Sequence, residues 1–380
     1  MNSALQRILV VGGNGFIGSA VCKAAVARGI QVTSVSSSGR PYRTEKGHTP
    51  AWVNKVDWEK GDALQPESFA HLFADVSGVV HTLGTLLEDV DGTYKRAIRS
   101  GNVPGLLGSF LKNVVAGGNG GNPLEKQQQH LGKERSRGTY EVMNREAALR
   151  VCEAFISSES STSAGRNVPR PFVYISAEDI FRPVIPARYI ETKWEAERGI
   201  ETMMANTTDY RGVYIRPSLV YHAHQRPVTT PLAFLLDLSA TLHARVPPTV
   251  PTPSGILQTL SKLLSPDKRR HDKVEAKKAA VGGRGIGDEE LKMYQGLSSP
   301  GDQRPVTPSA LEAMANILVI PPIHVDHVAD AILASLDSAN GVKGVVGVRR
   351  MRELIGWKER GGNSESGGKD DYKVQARFER

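Results

Sequence analysis

At 380 residues, with 39% hydrophobic residues, 38 Gly and 22 Pro, the chain suits one large or two modest domains and carries extra loop. Cys22 and Cys152 can build neither a disulfide framework nor a C-x-x-C zinc site; no apolar run reaches the ~18 residues of a membrane span, and no secretory leader opens the chain. The sequence therefore predicts a soluble, non-secreted protein of a reducing compartment.

The formal charge of +8 is unevenly spread, with no acid before Glu45. In chain order, Arg7–Val11 reads as a strand, Gly12-Gly-Asn-Gly-Phe-Ile-Gly18 as a glycine turn, and the alanine-rich stretch to Arg28 as a helix closed by Gly29. Gln31–Val35 completes one βαβ unit. Gly12, Gly15 and Gly18, with Phe16 and Ile17 between them, let backbone approach a pyrophosphate at the positive end of a helix. Without a strand and helix around them they would be a Gly-rich turn and no more. A nicotinamide dinucleotide is thus expected here. An NAD site places a carboxylate at the end of the second strand. Here the place reads Ser36-Ser37-Ser38-Gly39-Arg40, hydroxyls and a guanidinium that suit a 2′-phosphate, so NADP(H) is favoured over NAD(H); the bland reading of Arg40 is a solvated side chain.

Further strands are expected at Trp52–Val56, Gly78–Thr82, Phe172–Ser176 and Gly212–Ile215, with helices at Pro66–Phe73, Tyr140–Ile156 and Tyr189–Met204. The alternation predicts an α/β Rossmann fold, a doubly wound parallel sheet. Three low-complexity stretches, 91–138, 157–170 and 247–308, read as insertions or mobile loops. The last contains a basic run, Lys268-Arg269-Arg270 with Lys273, Lys277 and Lys278, read as a solvated loop or a contact with anionic lipid. No aromatic residue lies between Phe234 and Tyr294, which argues against nucleic acid. Residues 1–222 are expected as the dinucleotide domain, 223–345 as a small carboxyl-terminal substrate-side subdomain, and 346–380 as a largely disordered polar tail.

Tyr189 and Lys193 stand four apart, on one helix face. An ammonium beside the phenol would lower its pKa toward that of a general acid/base, and Ser176 could hydrogen-bond the same substrate oxygen. An exposed amphipathic helix is the plain alternative. His324 and His327 are read as packing and capping residues, and no metal is expected. Cys22 and Cys152 read as small core hydrophobes.

Together the glycine turn, Gly61-Asp62-Ala63, Val79-Val-His-Thr-Leu-Gly84, Asn144, Tyr189-x-x-x-Lys193, Arg216-Pro217-Ser218 and His324-Val-Asp-His-Val-Ala329 resemble the short-chain dehydrogenase/reductase superfamily in its extended or atypical, epimerase/dehydratase-like branch. Within it, Val79–Glu88 and Tyr174-Ile-Ser-Ala177 are similar to the fungal mitochondrial group attached to coenzyme Q biosynthesis, itself similar to the NADPH-binding accessory subunit of respiratory complex I. The resemblance implies that Asp62, with Ala63 beside it, meets the adenine, that Leu83 and Gly84 border the adenosine ribose and phosphates, that Pro217 and Ser218 lie by the nicotinamide, and that Lys193 holds its ribose. It also implies a mitochondrial, matrix-side setting, with coenzyme Q biosynthetic proteins as partners and peripheral contact with the inner membrane. Two roles stay open: an oxidoreductase using Tyr189, or a non-catalytic NADPH-binding accessory or assembly subunit. Ala177 and Glu178 after Ser176 depart from the family's usual hydroxyl-rich strand end, which bears on turnover more than on binding.

Overall fold

The computed structural model describes residues 7–44, 46–85, 139–158, 168–180, 187–222, 229–245, 252–264 and 315–357. The expected insertion 91–138, the basic run 268–278 and the tail 361–380 lie outside them.

β1 (Arg7–Val11), α1 (Phe16–Ala27) and β2 (Gln31–Ser36) form the first βαβ unit, followed by β3 (Val56–Lys60) and β4 (Gly78–His81). A π-helical turn, Glu141–Glu146, runs into α2 (Ala147–Ser157), and β5 (Arg170–Ile175), α3 (Ala187–Met204) and β6 (Tyr210–Arg216) continue the alternation. β7 (Val220–Tyr221) pairs in parallel with β8 (Ile323–His324), apart from the main sheet. α4 (Thr229–Arg245) and α5 (Pro253–Leu264) lie between them in sequence; α6 (Val325–Leu336), β9 (Gly344–Gly347) and α7 (Val348–Leu354) complete the chain.

The seven-stranded sheet has the order β3-β2-β1-β4-β5-β6-β9 and every pairing is parallel. Strand order reverses between β1 and β4, and the crevice beyond their carboxyl ends is where such sheets take ligands. Alternation along the strands sends Ile8, Val10, Val173 and Ile175 to the face covered by α1 and α6, and Leu9, Val11, Phe172 and Tyr174 to the face covered by α2 and α3. Burial on both faces explains why these strands read as unbroken apolar runs. Cys22 and Cys152 are buried in the two layers, where burial pushes the Cys22 thiol up to about 12.

Three expectations are corrected. Ala51–Lys55 is a 3-10 turn rather than a strand, and β3 begins only at Val56; Trp52 packs against Trp58 at 6.4 Å instead of pairing in the sheet. Within the stretch expected as a mobile loop, residues 253–264 form α5. The division expected at residue 345 runs through β9, the sheet's edge strand, and Val346, Val348 and Met351 behind it are buried. Arg211 on β6 anchors the segment that leads from α6 into β9. Its buried guanidinium donates to the carbonyls of Ser335 (2.8 Å), Leu336 (3.0 Å) and Val342, closing the carboxyl end of α6 with a positive charge. Among the described residues no helix is long and apolar enough to cross a membrane.

Candidate functional site: a dinucleotide crevice

The glycine turn leaves β1 at Gly12, whose φ of 91° lies in the left-handed region, with its amide donating to the Val35 carbonyl at 2.8 Å. A Cβ on Gly18 would stand 2.2 Å from the Gly12 carbonyl oxygen, so the first turn of α1 packs directly on the backbone of the loop. A Cβ on Gly13 would meet the Ser34 hydroxyl at 2.3 Å. Asn14 and Gly15 are exposed on the opposite side of the turn, and the Gly15 N-cap brings no side chain and no first-turn acid to the start of α1. A cradle with this much bare backbone and a helix positive end fits a diphosphate.

At the end of β2 the Asn14 amide donates to Ser36 Oγ (3.4 Å) and Ser38 Oγ (3.5 Å), stitching this loop to the glycine turn. Ser36 is buried and its hydroxyl also accepts the Gly39 amide at 3.2 Å, so it braces the loop. Ser38 and Arg40 are exposed beside the crevice, and Tyr42 stacks on Trp52 at 5.5 Å behind them. The chain from Ser36 to Thr44, which runs on from the end of β2, contains no acidic residue.

Asp62 follows β3 and its Oδ1 accepts the Leu64 amide at 3.0 Å, fixing a tight turn beside buried Ala63. Beyond β4, Thr82 donates through Oγ1 to the Val11 and Gly12 carbonyls at 2.9 and 3.1 Å, and a Cβ on Gly12 would meet Leu83 at 2.8 Å. Leu83 and Gly84 thus border the glycine turn. Buried Asn144 holds the next residue from both sides, its Oδ1 accepting the Thr85 amide at 2.9 Å and its Nδ2 donating to the Thr85 carbonyl at 3.3 Å. Tyr174 donates its hydroxyl to the Asn144 carbonyl at 2.5 Å. That partner from outside the helix accompanies its widening into a π turn, a feature often found at working sites.

Lys193 lies deep, with Nζ donating to the carbonyls of Ile175 (2.8 Å) and Leu83 (3.3 Å) and standing 4.7 Å from the Tyr174 ring centre. It ties β4 and β5 together at the crevice floor. Burial pulls its ammonium down to about 7, against a smaller opposing pull from Glu197. The expected effect on Tyr189 is corrected: the ammonium is committed to those carbonyls, while the Tyr189 ring packs edge-on against Tyr140 at 5.8 Å. Burial, with a smaller push from Tyr140, raises the Tyr189 phenol above its ordinary value rather than lowering it. Ser176 is buried at the end of β5, and its hydroxyl has no partner among the described residues. Pro217 accepts the Glu178 amide at 3.3 Å, and Ser218 Oγ donates to the Pro321 carbonyl at 2.6 Å, so this loop is anchored from the carboxyl-terminal segment.

Three contributors escape sequence reading. Arg216 forms a paired bridge to buried Glu197 (2.8 and 2.5 Å) beneath the Pro217 loop; nineteen residues separate them, and the Arg216-Pro217-Ser218 motif carries no sign of this partner. Fully buried His81 faces the Phe172 and Tyr174 rings with both ring nitrogens unpartnered among the described residues, and burial together with the Lys193 charge pulls it down to about 3. His222 joins His324 and Asp326 near one point. His324 there caps α6 by accepting the Asp326 amide at 3.2 Å, and Lys23 pairs with Asp326 at 3.3 Å. His327 packs edge-on against Trp357 at 4.9 Å.

The strand reversal and the bare glycine turn define a dinucleotide-binding α/β protein. A profile of the NAD dependent epimerase/dehydratase family matches residues 8–99. The chain is 32% identical to MIOREX complex component 2 of Saccharomyces cerevisiae over 227 residues, which make up 59% of this chain and 76% of the yeast protein. It belongs to the epimerase/dehydratase family, the extended short-chain dehydrogenases/reductases. An uncharacterized chloroplastic protein of Arabidopsis thaliana is 42% identical over 79 residues, 21% of this chain and 25% of that one. Among solved structures, UDP-glucuronic acid 4-epimerase from Bacillus cereus in complex with NAD covers 63% of each chain at 18% identity and a TM-score of 0.36. A short-chain dehydrogenase/reductase from Burkholderia multivorans with bound NADP covers 59% of this chain and 83% of its own, at 16% identity and a TM-score of 0.37.

Proposed function

We propose that the chain is an NADP(H)-binding reductase-like protein of mitochondrial coenzyme Q biosynthesis. The observation that carries the coenzyme choice is the end of β2, where Ser38 and Arg40 are exposed and the chain from Ser36 to Thr44 has no acidic residue. The Gly12–Gly18 turn would hold the pyrophosphate and Arg40 the 2′-phosphate; Asp62 and Ala63 would flank the adenine; Pro217 and Ser218 would orient the nicotinamide. The coenzyme, when bound, supplies or accepts hydride. Tyr189 would exchange the proton on a substrate carbonyl oxygen, and the Ser176 hydroxyl would bond that oxygen. The name of the yeast relative supports membership of a protein complex, and that of the plant relative an organelle.

Isothermal titration tests the coenzyme. NADPH is expected to bind more tightly than NADH, and Arg40→Ala to weaken NADPH roughly ten- to a hundredfold, the worth of charge-assisted hydrogen bonds, while sparing NADH. Equal affinity of the unaltered protein for both coenzymes refutes the assignment.

The Tyr189 geometry favours a second reading, a non-catalytic subunit that keeps NADPH to stabilise its fold and serves an assembly. Its phenol is raised by burial, and the Lys193 ammonium is spent on backbone carbonyls. Coenzyme at a hundredfold excess over Kd would stabilise such a fold by about 2.7 kcal/mol without turnover. Tyr189→Phe separates the two: depleted quinone pools at normal protein level support catalysis, and unchanged pools support the subunit.

A further inference from the structure

β7 and β8 pair with Val220 opposite Ile323 and Tyr221 opposite His324, so His222, the residue that follows β7, comes beside His324 at the end of β8. The two imidazole rings stand 5.1 Å apart between centres. Asp326 lies in the first turn of α6, its Oδ2 3.8 Å from His324 Nδ1, too far for a hydrogen bond. One ring nitrogen from each histidine and one carboxylate oxygen thus fall within 4.8 Å of one another, and all three residues are partly exposed. The His324 ring is walled in, by Tyr221 edge-on at 5.3 Å and by His327 at 5.7 Å, which in turn packs on Trp357. His327 is a wall of the cluster and not one of its three donors. The histidine that joins His324 comes from a distant part of the chain, and no local spacing announces it.

Two imidazoles and a carboxylate have one kind of ligand in common, a cation that accepts nitrogen donors. Calcium and magnesium take oxygen, whereas zinc and its transition-metal neighbours take imidazole nitrogen together with carboxylate oxygen. With metal–ligand bonds of about 2.0–2.1 Å, tetrahedral donors stand about 3.4 Å apart, so the 3.8 Å gap has only a few tenths of an ångström to close. We propose that His222, His324 and Asp326 form a zinc-type divalent metal site that clamps the chain leaving β7 to the start of α6, with water completing the coordination. His324 would bind through Nδ1, the nitrogen nearest Asp326. That atom accepts the Asp326 amide at 3.2 Å, which assigns the ring's proton to Nε2. Metal and helix cap therefore compete for one lone pair, and the affinity is moderate. Lys23 is the second competitor, its Nζ 3.3 and 3.5 Å from the two Asp326 oxygens. Both partners of that pair are exposed, so it is given up at little cost. The site uses no residue of the coenzyme crevice, and the two assignments stand or fall separately.

Zinc titration of the full chain tests it, after stripping with a chelator and at slightly alkaline pH, where imidazole is neutral, in competition with a chromophoric chelator. One zinc per chain is expected, at a Kd in the micromolar range. His222→Ala is expected to weaken it about tenfold or more, since even a group that only hydrogen-bonds to a metal ligand is worth that much, with the thermal midpoint of the metal-free chain unchanged. Lys23→Met acts in the opposite direction and should tighten zinc about two- to fivefold, the worth of an exposed ion pair; damage to the fold would not do so. Zinc should raise the thermal midpoint of the unaltered chain and of Lys23→Met, and leave that of His222→Ala where it is. Absence of stoichiometric binding, zinc held equally well by His222→Ala, which would mark an adventitious ion only, or binding that Lys23→Met leaves unchanged or weakens would each overturn the proposal.

Discussion

Residues 7–85 hold the glycine turn, the Ser38–Arg40 loop and the Asp62 turn in one stretch of chain, and each is closed by hydrogen bonds that are short in sequence or run between neighbouring strands. The opposite wall draws Asn144, Ser176, Lys193 and Ser218 from separate elements and depends on contacts that cross the fold, such as Ser218 to Pro321 and Arg211 to the end of α6. The first region is local chemistry on a scaffold. The second exists only once the scaffold has formed, so damage to the two should read out differently.

The largest expected effect is at Gly18. Valine there places a branched Cβ against the Gly12 carbonyl at a distance no side chain tolerates, and coenzyme affinity should fall at least a thousandfold by titration calorimetry, about 4 kcal/mol and beyond the ~1–3 kcal/mol of ordinary overpacking. Near-normal affinity would erase the distinction between the two walls. Next comes Arg211→Met, which strips partners from several carbonyls at the end of α6. Urea unfolding should show a loss of about 3 kcal/mol, while coenzyme affinity measured well below the transition stays within about twofold. A loss of affinity as large as that of Gly18→Val would show the two regions to be one unit.

The smallest effect sharpens the picture at Lys193. Its folded value of about 7 lies below the 10.5 of an ordinary lysine, so between those values the unfolded chain binds more protons and stability rises with pH. This contribution is complete above the unfolded value and is lost as pH falls through 7. Over pH 7–9, Lys193→Met should flatten the rise by up to about 1.4 kcal/mol per pH unit, read from unfolding midpoints. An unchanged slope would place the ammonium in water.

The parallel sheet and the glycine crevice were legible because apolar runs bounded by glycine carry their meaning within a few residues. Trp52–Val56 misled for the same reason: its apolar residues pack as a Tyr42–Trp52–Trp58 cluster instead of forming a ladder. The four-residue spacing of Tyr189 and Lys193 correctly placed both on α3, yet the spacing said nothing of the carbonyls of Leu83 and Ile175 that take the ammonium. Asn144 was visible as a polar residue on a helix; its grip on Thr85 was not.

What the sequence determined by itself was the β1–α1–β2 unit, its bare turn and the acid-free end of β2, because backbone freedom and charge there belong to single residues and their neighbours. Tertiary structure alone decided that β9 pairs with β6, that Arg211 closes the end of α6, that Glu197 meets Arg216, and that the Lys193 ammonium goes to the Leu83 and Ile175 carbonyls. Those outcomes follow from desolvation and long-range pairing, and neither has a period along the chain.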